Sequence, residues 1–339
     1  PSYVAEDCPS VICGYHLALI KPLFPIIRGR FLYWSFCARS INHQFVVAAT
    51  GITRFGLGKN DLCMSLFVIP PTEEQQAIAN YLDQETAKID QLVEKKKRLI
   101  ELLKEQRTAM ITHAVTKGLN PDVEMKDTGV EWLGQIPVHW NVKRLRYLAD
   151  IVTGNTPPKN KEDNYDPNNG LPWVKPDDLG SLTPIEKTKQ YLSPEGAKLA
   201  RKIPKDCVLI CCIGSIGTLG ISGSEVSTNQ QINSIILKHK SITNKYGFYA
   251  VFSSVTEYER LANLNVVAII NSQSQKNIFM PLPPIEEQQA IAEYLGKEIT
   301  RTDNLISKIN LAVEKLQEYR SALITAAVTG KIDVRRQVL

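Results

Sequence analysis

The sequence predicts an α+β protein in which two strand-containing segments alternate with two long helices. The main observation is an internal repeat: residues 70–82 (PPTEEQQAIANYL) recur as residues 283–295 (PPIEEQQAIAEYL), with 11 of 13 positions identical. The likeness extends without a gap to residues 107–116 and 320–329, where 7 of 10 positions agree. Short apolar runs separated by turn residues precede each copy. Because a repeat governs the architecture, we expect two copies of one unit.

Each copy of the repeat is predicted to be a coiled-coil helix. Apolar residues recur at alternating steps of four and three from Ile78 to Met110, and at the equivalent positions of the second copy. This is the period of helices that wind around one another. The proline pairs at 70–71 and 283–284 favour a helix start, and the glutamates after them suit the positive end of the helix dipole. Each helix is therefore expected to pair with the other copy.

The predicted organisation follows the chain in order. Its segments are residues 1–71, a first long helix at 72–118, a linker at 119–139, a strand-rich segment at 140–282, and a second long helix with a tail at 283–339. Strands are predicted at His16–Ile20, Phe45–Ala49, Leu145–Thr153, Leu171–Lys175, Cys207–Ile213, Leu219–Ser222 and Ile232–Lys238, and helices at Phe31–Phe36 and Lys245–Asn263.

The two segments that precede the helices also resemble each other. Counted back from each helix, residues 14–22 (GYHLALIKP) correspond to residues 231–239 (QINSIILKH). On this correspondence the first segment holds only the back half of a domain, whose front half begins near Trp140 in the second copy. A longer parent with roughly 80 further residues upstream is therefore expected, which brings both domains to ordinary size.

Composition limits the class of protein. A chain of 339 residues is long enough for about two domains with real cores. Its cysteines are odd in number and show no zinc-binding spacing, so buried, reduced thiols and a cytoplasmic location are expected. They are Cys8, Cys13, Cys37, Cys63, Cys207, Cys211 and Cys212. No apolar run approaches the roughly 18 residues of a membrane helix, and no metal site is predicted.

Positive charge is concentrated outside the repeat helices. The net charge is +3 over residues 1–71 and +5 over residues 139–282, but −1 over 72–113 and −2 over 283–325. This distribution is expected if the segments between the helices meet a polyanion and the helices meet protein.

Motifs that would indicate catalysis are weak. The spaced glycines of residues 214–220 lie between two predicted strands, which favours a tight hairpin over a phosphate-binding loop. Residues 55–58 (FGLG) follow no clear parallel-strand unit and are interpreted as a loop. Pro176-Asp177 with Glu186 resembles a nuclease motif, but Thr188 stands where its lysine is expected. No Asn/Asp-Pro-Pro-aromatic motif of an adenine methyltransferase is present. We therefore predict no catalytic residues.

Three motifs carry a resemblance to a known family. They are the doubled PPxxEQxxIAxxL opening of a long helix, GVEWLGQIPVHWNVKRLRYLADIVTGNTP at the head of the strand-rich segment, and KIPKDCVLICCIGSIGTLG in its middle. Together they resemble the specificity (S) subunit of type I restriction-modification enzymes, over essentially the whole chain. That subunit has two target recognition domains, each reading half of a split DNA site, separated by two antiparallel coiled-coil helices with pseudo-twofold symmetry.

The resemblance assigns a role to each segment. Residues 140–282 would be the second target recognition domain, and residues 1–71 the carboxy-terminal part of the first. The helices would dock two modification (methyltransferase) subunits, and through them the restriction and translocase subunits. This chain would bind double-stranded DNA and no membrane, perform no catalysis, and bind no cofactor itself, with S-adenosylmethionine held by the partner subunits. A pseudo-symmetric protein also suits a bipartite site on the duplex.

Candidate DNA-contacting residues are side chains of predicted loops, together with Lys143 and Arg144 in segments of helical or strand-edge character. Lys and Arg hold phosphates, while amides, hydroxyls and ammonium groups can reach base edges. The candidates are Thr53, Arg54, Lys59, Lys143, Arg144, Asn155, Thr156, Lys159, Trp173, Lys175, Ser215, Thr218, Asn229, Gln230, Gln273, Gln275 and Lys276. Lys143 and Arg144 are expected on phosphates, whereas Lys175, Gln230, Gln273 and Gln275 are expected on bases.

A second apolar face on the helices is expected to bind the partner subunits, because one helix pair cannot bury every apolar position. Its predicted residues are Tyr81, Ile100, Leu102, Ile111, Tyr294, Ile306, Val313 and Ile324. Two other classes of function remain open from the sequence. They are a free-standing sequence-specific DNA-binding regulator and a DNA methyltransferase or nuclease in its own right.

Overall fold

A computed structural model describes residues 1–4, 13–14, 17–23, 25–51, 56–158, 162–166, 168–238, 240–264 and 267–336. The chain forms two compact units. The first unit comprises residues 1–103 and 304–339, and the second unit comprises residues 104–303. Each long helix contributes one part to each unit.

The α-helices of the described residues are α1 (Gly29–Cys37), α2 (Arg39–Ala48), α3 (Lys59–Cys63), α4 (Thr72–Lys117), α5 (Leu145–Leu148), α6 (Pro194–Leu199), α7 (Asn244–Ser253), α8 (Val255–Leu261), α9 (Ser272–Lys276) and α10 (Ile285–Val328). Short 3₁₀ turns lie at Glu162–Asn164, Pro176–Asp178 and Val334–Arg336.

The strands are β1 (Met125–Asp127), β2 (Gln135–Pro137), β3 (Asn141–Arg144), β4 (Ala149–Thr153), β5 (Tyr165–Asp166), β6 (Leu171–Val174), β7 (Pro184–Ile185), β8 (Tyr191–Leu192), β9 (Lys202–Ile203), β10 (Val208–Cys211), β11 (Leu219–Ser222), β12 (Val226–Thr228), β13 (Ile232–Leu237), β14 (Asn263–Leu264), β15 (Ala268–Ile269) and β16 (Phe279–Leu282). The predicted α+β class is confirmed.

The long helices α4 and α10 form where the repeat predicts them. α4 begins directly after the proline pair at 70–71 and ends before Gly118, whose φ of +78° is a conformation that glycine adopts at low cost. The helices run antiparallel in each unit. Asp90 of α4 pairs with Arg320 of α10 in the first unit, and Arg107 of α4 pairs with Asp303 of α10 in the second unit.

The apolar residues that recur at steps of four and three from Ile78 form the predicted coiled-coil seam. This seam is correct at the helix starts and wrong in the middle. Ile78, Leu82 and Ile89 are buried, but Leu92 and Leu99 are 42% and 44% exposed. The neighbouring Val93 and Ile100 are buried instead. A straight helix with 3.6 residues per turn drifts away from a strict 3.5-residue repeat, so the buried stripe moves by one position along α4.

The first unit is helical in its described part. Its core joins Phe31 and Trp34 of α1 to the start of α4 and the end of α10, and Val334 of the tail is buried in it. The predicted strand Phe45–Ala49 is wrong, since residues 45–48 belong to α2. Apolar side chains on one face of α1 and α2 form the contact, which is a helical and not a strand period. Residues 17–20 form no strand, and His16 lies outside the described residues.

The second unit contains two five-stranded sheets. One has the order β4-β13-β10-β11-β7 and the other the order β5-β8-β6-β12-β9. β12 of one sheet leads into β13 of the other through residues 229–231. The core between the sheets contains Leu209 and Val226, while Val208 and Ile210 point to the opposite face and pack with the helices.

Most predicted strands of the second unit are present, with two corrections. The predicted strand Leu145–Thr153 is strand only in its second half, because residues 145–148 form α5, which buries Leu145 and Leu148 on one side. The predicted helix Lys245–Asn263 is divided at Ser254 into α7 and α8. The predicted hairpin at residues 214–220 is confirmed, since β10 and β11 pair antiparallel around it.

Candidate nucleic-acid interface

Six of the predicted DNA-contacting residues lie around the crossing point of the two sheets. We call this group the first polar cluster; its members are Asn155, Thr156, Trp173, Lys175, Asn229 and Gln230. Trp173 lies in β6, and the other five follow the ends of β4, β6 and β12. The backbone N–H of Asn229 donates to the carbonyl of Val174 at 3.1 Å, and that of Asn155 donates to the carbonyl of Thr228 at 2.9 Å. The three loops are therefore held together by their main chains.

Gly154 allows this close approach. A Cβ at residue 154 would lie 2.2 Å from the carbonyl oxygen of Asn229 and 2.3 Å from that of Thr228. Those are backbone atoms, which cannot rotate away as a side chain can. Every larger residue at this position would push the loop after β4 away from the loop after β12.

The side chain of half-buried Asn155 makes two hydrogen bonds within the protein. Its Nδ2 donates to the carbonyl of Leu199 at 2.8 Å, and its Oδ1 accepts from the backbone N–H of Arg201 at 2.8 Å. The guanidinium of Arg201 in turn donates to the carbonyl of Thr153 at 2.6 Å. Asn155 therefore positions the loop, and exposed Arg201 becomes part of the same surface.

Trp173 supports Lys175. Trp173 is only 2% exposed, and the Lys175 ammonium lies 4.5 Å from the centre of its ring. The ammonium also donates to Oε1 of Gln190 at 2.5 Å. A cation held over an indole and by an amide is pre-oriented, with a rim position open to a ligand. Trp173 itself is too buried to stack on a base in this structure.

Asn229 and Gln230 form a similar pair, in which a buried residue stands next to an accessible one. The Asn229 side chain is 8% exposed and bonds within its turn, with Nδ2 donating to Oε1 of Gln231 at 2.9 Å. The next residue, Gln230, is exposed, and its Oε1 accepts from the hydroxyl of Thr156. The amide nitrogen of Gln230 stays available to an acceptor outside the protein. The turn therefore exposes the amide of Gln230, while the amide of Asn229 is bonded within it.

The second polar cluster consists of Lys143, Arg144, Gln273, Gln275 and Lys276, on β3 and α9. Lys143 and Gln273 are exposed. The Arg144 guanidinium lies 5.0 Å from the Phe279 ring centre and donates to Oδ1 of Asn277 at 3.4 Å. Gln275 is fully buried, and neither polar atom of its side chain has a hydrogen-bond partner among the described residues.

The remaining predicted residues are not brought together with these clusters by any described contact. Ser215 and Thr218 form the β10–β11 hairpin, where the Thr218 N–H donates to the Ser215 carbonyl at 3.2 Å. Lys59 begins α3 in the first unit and is exposed. Thr53, Arg54 and Lys159 lie outside the described residues.

A basic and aromatic pair on α5 was given no contact role from the sequence. The Arg146 guanidinium lies 5.0 Å from the ring centre of Tyr147, which is 62% exposed. The signal was present as the run KRLRY, in which three cations precede an aromatic residue. Together with Lys143 and Arg144 this pair forms a positive surface.

Two buried glutamines, Gln75 and Gln288, were also given no role from the sequence, although both stand in the repeated motif. Each is 0% exposed. The side chain of Gln288 accepts from the N–H of Thr243 at 2.9 Å and donates to the carbonyls of Ser241 and Pro283, both at 3.0 Å. It therefore ties the start of α7 to the start of α10.

Gln75 makes the equivalent set of bonds in the first unit. It accepts from the N–H of Arg28 at 2.8 Å and donates to the carbonyls of Ile26 and Pro70 at 3.0 and 2.8 Å. α1 is thus tied to α4 as α7 is tied to α10. The identity of EEQQ in both copies was the signal that could have found this role.

The predicted partner-binding face needs correction. Four of its eight residues are buried inside this chain, namely Ile100, Ile111, Val313 and Ile324. Ile111 and Ile324 belong to the cores that join the helices to the globular segments, which explains their burial. Tyr81 and Ile306 are half-buried, while Leu102 and Tyr294 are 45% and 40% exposed.

Exposed apolar residues nevertheless remain on both helices. Those of 40% or more exposure are Leu92, Leu99, Leu102, Tyr294, Leu305, Leu311 and Tyr319. They include Leu92, Leu99, Leu305 and Tyr319, which the sequence placed in the seam. Both helices therefore expose apolar residues, of which only Leu102 and Tyr294 belong to the predicted partner-binding face.

The described residues contain no group of three or more His, Cys, Asp or Glu side chains arranged to hold a metal ion. None of the described helices is long and apolar enough to cross a membrane. The cysteines of the described part are free thiols. Burial raises the pKa of the Cys207 thiol to about 11 and that of Cys212 to about 12. Contrary to the expectation of buried thiols throughout, Cys13 and Cys63 are exposed.

Comparison with known proteins decides the family. The family described as Type I restriction modification DNA specificity domain matches residues 137–315, which include both polar clusters and more than half of the chain. This chain belongs to that family. Its class of function is DNA recognition in a type I restriction-modification system.

Individual relatives agree with this membership. The chain is 25% identical over 332 residues to the putative type I restriction enzyme MjaX specificity subunit of Methanocaldococcus jannaschii, covering 95% of this chain and 72% of that protein. It is 22% identical to the EcoBI specificity subunit of Escherichia coli, over 84% of this chain and 62% of that protein. The chain thus spans about two thirds of these relatives' length.

Solved structures share the fold. A chain from a study of complex assembly and conformational transition of the type I R-M system matches with a TM-score of 0.70 and 19% identity, covering 88% of this chain and 70% of that chain. The HsdS subunit from Thermoanaerobacter tengcongensis matches with a TM-score of 0.51 and 19% identity, covering 91% and 71%.

Proposed function

We propose that this chain is the DNA-recognition subunit of a type I restriction-modification complex, and that residues 140–282 read one half of a bipartite site. The observation that carries the proposal is the first polar cluster. Loops from both sheets converge there on exposed Gln230, whose amide oxygen accepts from the hydroxyl of Thr156, and on half-buried Lys175, whose ammonium lies over the buried ring of Trp173. An amide and an ammonium group are suited to the donors and acceptors of base edges.

The contacts divide the polar residues into three roles. Gln230, Lys175 and Gln273 are proposed to read bases, because all three are at least partly exposed, the first two on loops and Gln273 on α9. Arg201 and Lys143 are proposed to hold phosphates, since they are exposed cations at strand ends. Asn155, Asn229 and Trp173 are proposed to hold these base-reading residues and their loops in position. The role of the first unit, including Lys59, in a second half-site stays a prediction.

The proposed partners are two modification subunits, bound by the exposed apolar residues of α4 and α10, and restriction and translocase subunits bound through them. An apolar helix face with aromatic residues suits the core of a protein interface. Methyl transfer would take place on the partner, which would hold S-adenosylmethionine, and this chain would be non-catalytic. We propose the cytoplasm as its location, in keeping with the free thiols of the described cysteines.

Co-expression with a cognate modification subunit tests the proposal. The complex should methylate DNA at a split sequence, and the chain alone should show no turnover with DNA and S-adenosylmethionine. In the complex, Gln230→Ala should cost about 1–3 kcal/mol of binding at one position of a half-site and relax the base choice there. Gln289→Ala, an exposed glutamine of α10, is the matched control.

Binding measured against salt separates the roles. Arg201→Ala should weaken cognate and scrambled duplexes alike and reduce the salt slope by about one unit. Equal weakening of both duplexes by Gln230→Ala would contradict the reading role of this cluster. Methylation by the chain alone would favour an enzyme, and specific DNA binding that a modification subunit leaves unchanged would favour a free-standing regulator.

A further inference from the structure

A large groove lies in the second unit, where α7 and the amino-terminal part of α10 face the sheet that contains β10 and β11. We call it the α7–α10 groove. Its volume is about 1030 Å³, and the described residues that line it all belong to the second unit. Val208, Phe248 and Ala292 line it and are buried, so the floor of the groove is apolar.

The helix pair that forms this groove has an equivalent in the first unit. The two buried glutamines of the repeated motif accept from the N–H groups of Arg28 and Thr243, which are 215 residues apart. They donate to the carbonyls of Ile26 and Ser241, which are separated by the same number of residues. These matched bonds align α1 with α7. The corresponding pairs are Arg30 and Lys245, Trp34 and Tyr249, and, on the long helices at their offset of 213, Asp83 and Gly296.

In the first unit a carboxylate joins the two helices at this position. Asp83 of α4 accepts from Nε of Arg30 at 2.8 Å and from the indole N–H of Trp34 at 2.9 Å. The Arg30 guanidinium also lies 5.5 Å from the ring centre of Trp34. Charge-assisted hydrogen bonds and an aromatic contact therefore hold α1 against α4.

In the second unit the cation and the aromatic ring are present, but Gly296 stands in place of the carboxylate. Glycine weakens a helix interior. A Cβ at residue 296 would meet no atom within 4 Å among the described residues outside its own turn of α10, so no described contact requires a glycine there. Lys245 is exposed and has no hydrogen-bond or ion-pair partner in the described part of the chain. Half-buried Tyr249 lines the same groove, and its hydroxyl can donate as an indole does.

The other charged residues of the groove restrict where an incoming carboxylate is stabilised. Glu293 and Lys297 pair with each other at 2.7 Å, and Asp206 is an exposed acidic residue. Like charges close to Glu293 or Asp206 would repel each other. A carboxylate from outside the chain is therefore favoured beside Lys245.

We propose that a segment of a modification subunit occupies the α7–α10 groove and places an Asp or Glu side chain against Lys245 and Tyr249. The contact would reproduce between two chains what Asp83 does within the first unit. Apolar side chains next to that carboxylate would lie on the floor of the groove. The inference rests on the proposed function, because it assigns a second contact surface to the same partner.

The position of the groove on α10 favours this partner. Tyr294, one of the exposed apolar residues proposed to bind a modification subunit, directly follows Glu293 of the groove. A subunit bound over Tyr294 would therefore lie next to the groove. The lining residues of α10 recur at steps of three and four from Gln289 to Thr300 and do not include Tyr294, so the two surfaces can be changed separately.

Two substitutions test the inference on the full chain with its cognate modification subunit. Lys245→Glu places like charges together and should raise the dissociation constant, measured without DNA, about tenfold. Gly296→Asp supplies the carboxylate from within the chain and should weaken the complex by a similar factor. Gly296→Asn is the neutral control of the same shape and should bind several-fold more tightly than Gly296→Asp. Lys187→Glu reverses an exposed lysine outside the groove and should bind as the original chain does.

A measurement on the chain alone checks the equivalence of the two helix pairs. The carboxylate of Gly296→Asp should pair with Lys245, so hydrogen exchange at the start of α7 should be slower than in Gly296→Asn. Equal exchange in these two variants would overturn the inference, as would equal partner binding by Lys245→Glu and Lys187→Glu. Chain dimers that Gly296→Asp dissociates would show a second copy in the groove and would also overturn it. Failure of the original chain to bind the modification subunit would instead overturn the proposed function, and this inference with it.

Discussion

The two units share their helix contacts and differ in what those contacts support. In both, a buried glutamine of the repeated motif ties a short helix to a long one, and an Arg–Asp pair joins α4 to α10 at equivalent positions. Only the second unit places a strand and Trp140 on this frame within the described residues. The helix contacts are therefore a repeated structural element. Among the described residues, the strand and Trp140 that pack on them distinguish the second unit.

The largest expected effect comes from removing Trp140. Trp140→Ala deletes a fully buried side chain and its bond to Glu287, and should destabilise the second unit by about 4 kcal/mol. Hydrogen exchange followed by mass spectrometry should show faster exchange in β3 and β16, with α1 unchanged. Equal acceleration in α1 would contradict the view that each unit is stabilised by its own contacts.

An intermediate effect is expected at the two glutamines. Gln288→Ala leaves one buried N–H and two carbonyls without their partner and should cost about 2–3 kcal/mol, with faster exchange at the start of α7. Gln75→Ala should do the same at the start of α1. Gln289→Ala is a control on the same helix, since that side chain is exposed. If Gln288→Ala accelerated α1 and α7 alike, the proposed equivalence of two separate ties would be wrong.

These glutamines show where sequence reasoning stops. The repeat and the apolar periods were enough to predict both long helices, and most strands of the second unit followed from β-rich runs. The same reasoning treated Asn155 and Asn229 as DNA contacts. The sequence does not distinguish a loop amide that faces solvent from one that bonds a backbone carbonyl. Only the structure shows that the half-buried amide of Asn155 bonds the backbone of Leu199 and Arg201, while Gln230 is exposed.

The register of the helix pair is a second example. Leu92 and Val93 are both apolar, so either could lie in the buried stripe of α4. Which of them is buried depends on how far the helices drift from a 3.5-residue period. Trp173 is a third example. Its position in a strand was predicted, but its burial by the neighbouring β8 and Tyr165 depends on pairing between distant segments.

The smallest effect is expected at the paired charges. Arg107 contacts Asp303 at 2.5 Å, and Arg320 contacts Asp90 through two bonds of 2.8 and 3.1 Å. All four side chains are partly exposed, between 20% and 56%, so solvent screens the attraction. A double-mutant cycle to alanine should give about 0.5 kcal/mol for each pair, decreasing with added salt.

The comparison between the pairs is the informative part of this measurement. The Nε of Arg107 is buried without a partner among the described residues, whereas Arg320 uses Nε and Nη2 on one carboxylate. A bidentate contact holds its geometry better than a single bond. We therefore expect the Arg320–Asp90 coupling to exceed the Arg107–Asp303 coupling when unfolding in urea is followed at each unit. A larger coupling for Arg107 would mean that burial of its guanidinium outweighs bidentate geometry, and that the two equivalent pairs have diverged in the opposite direction.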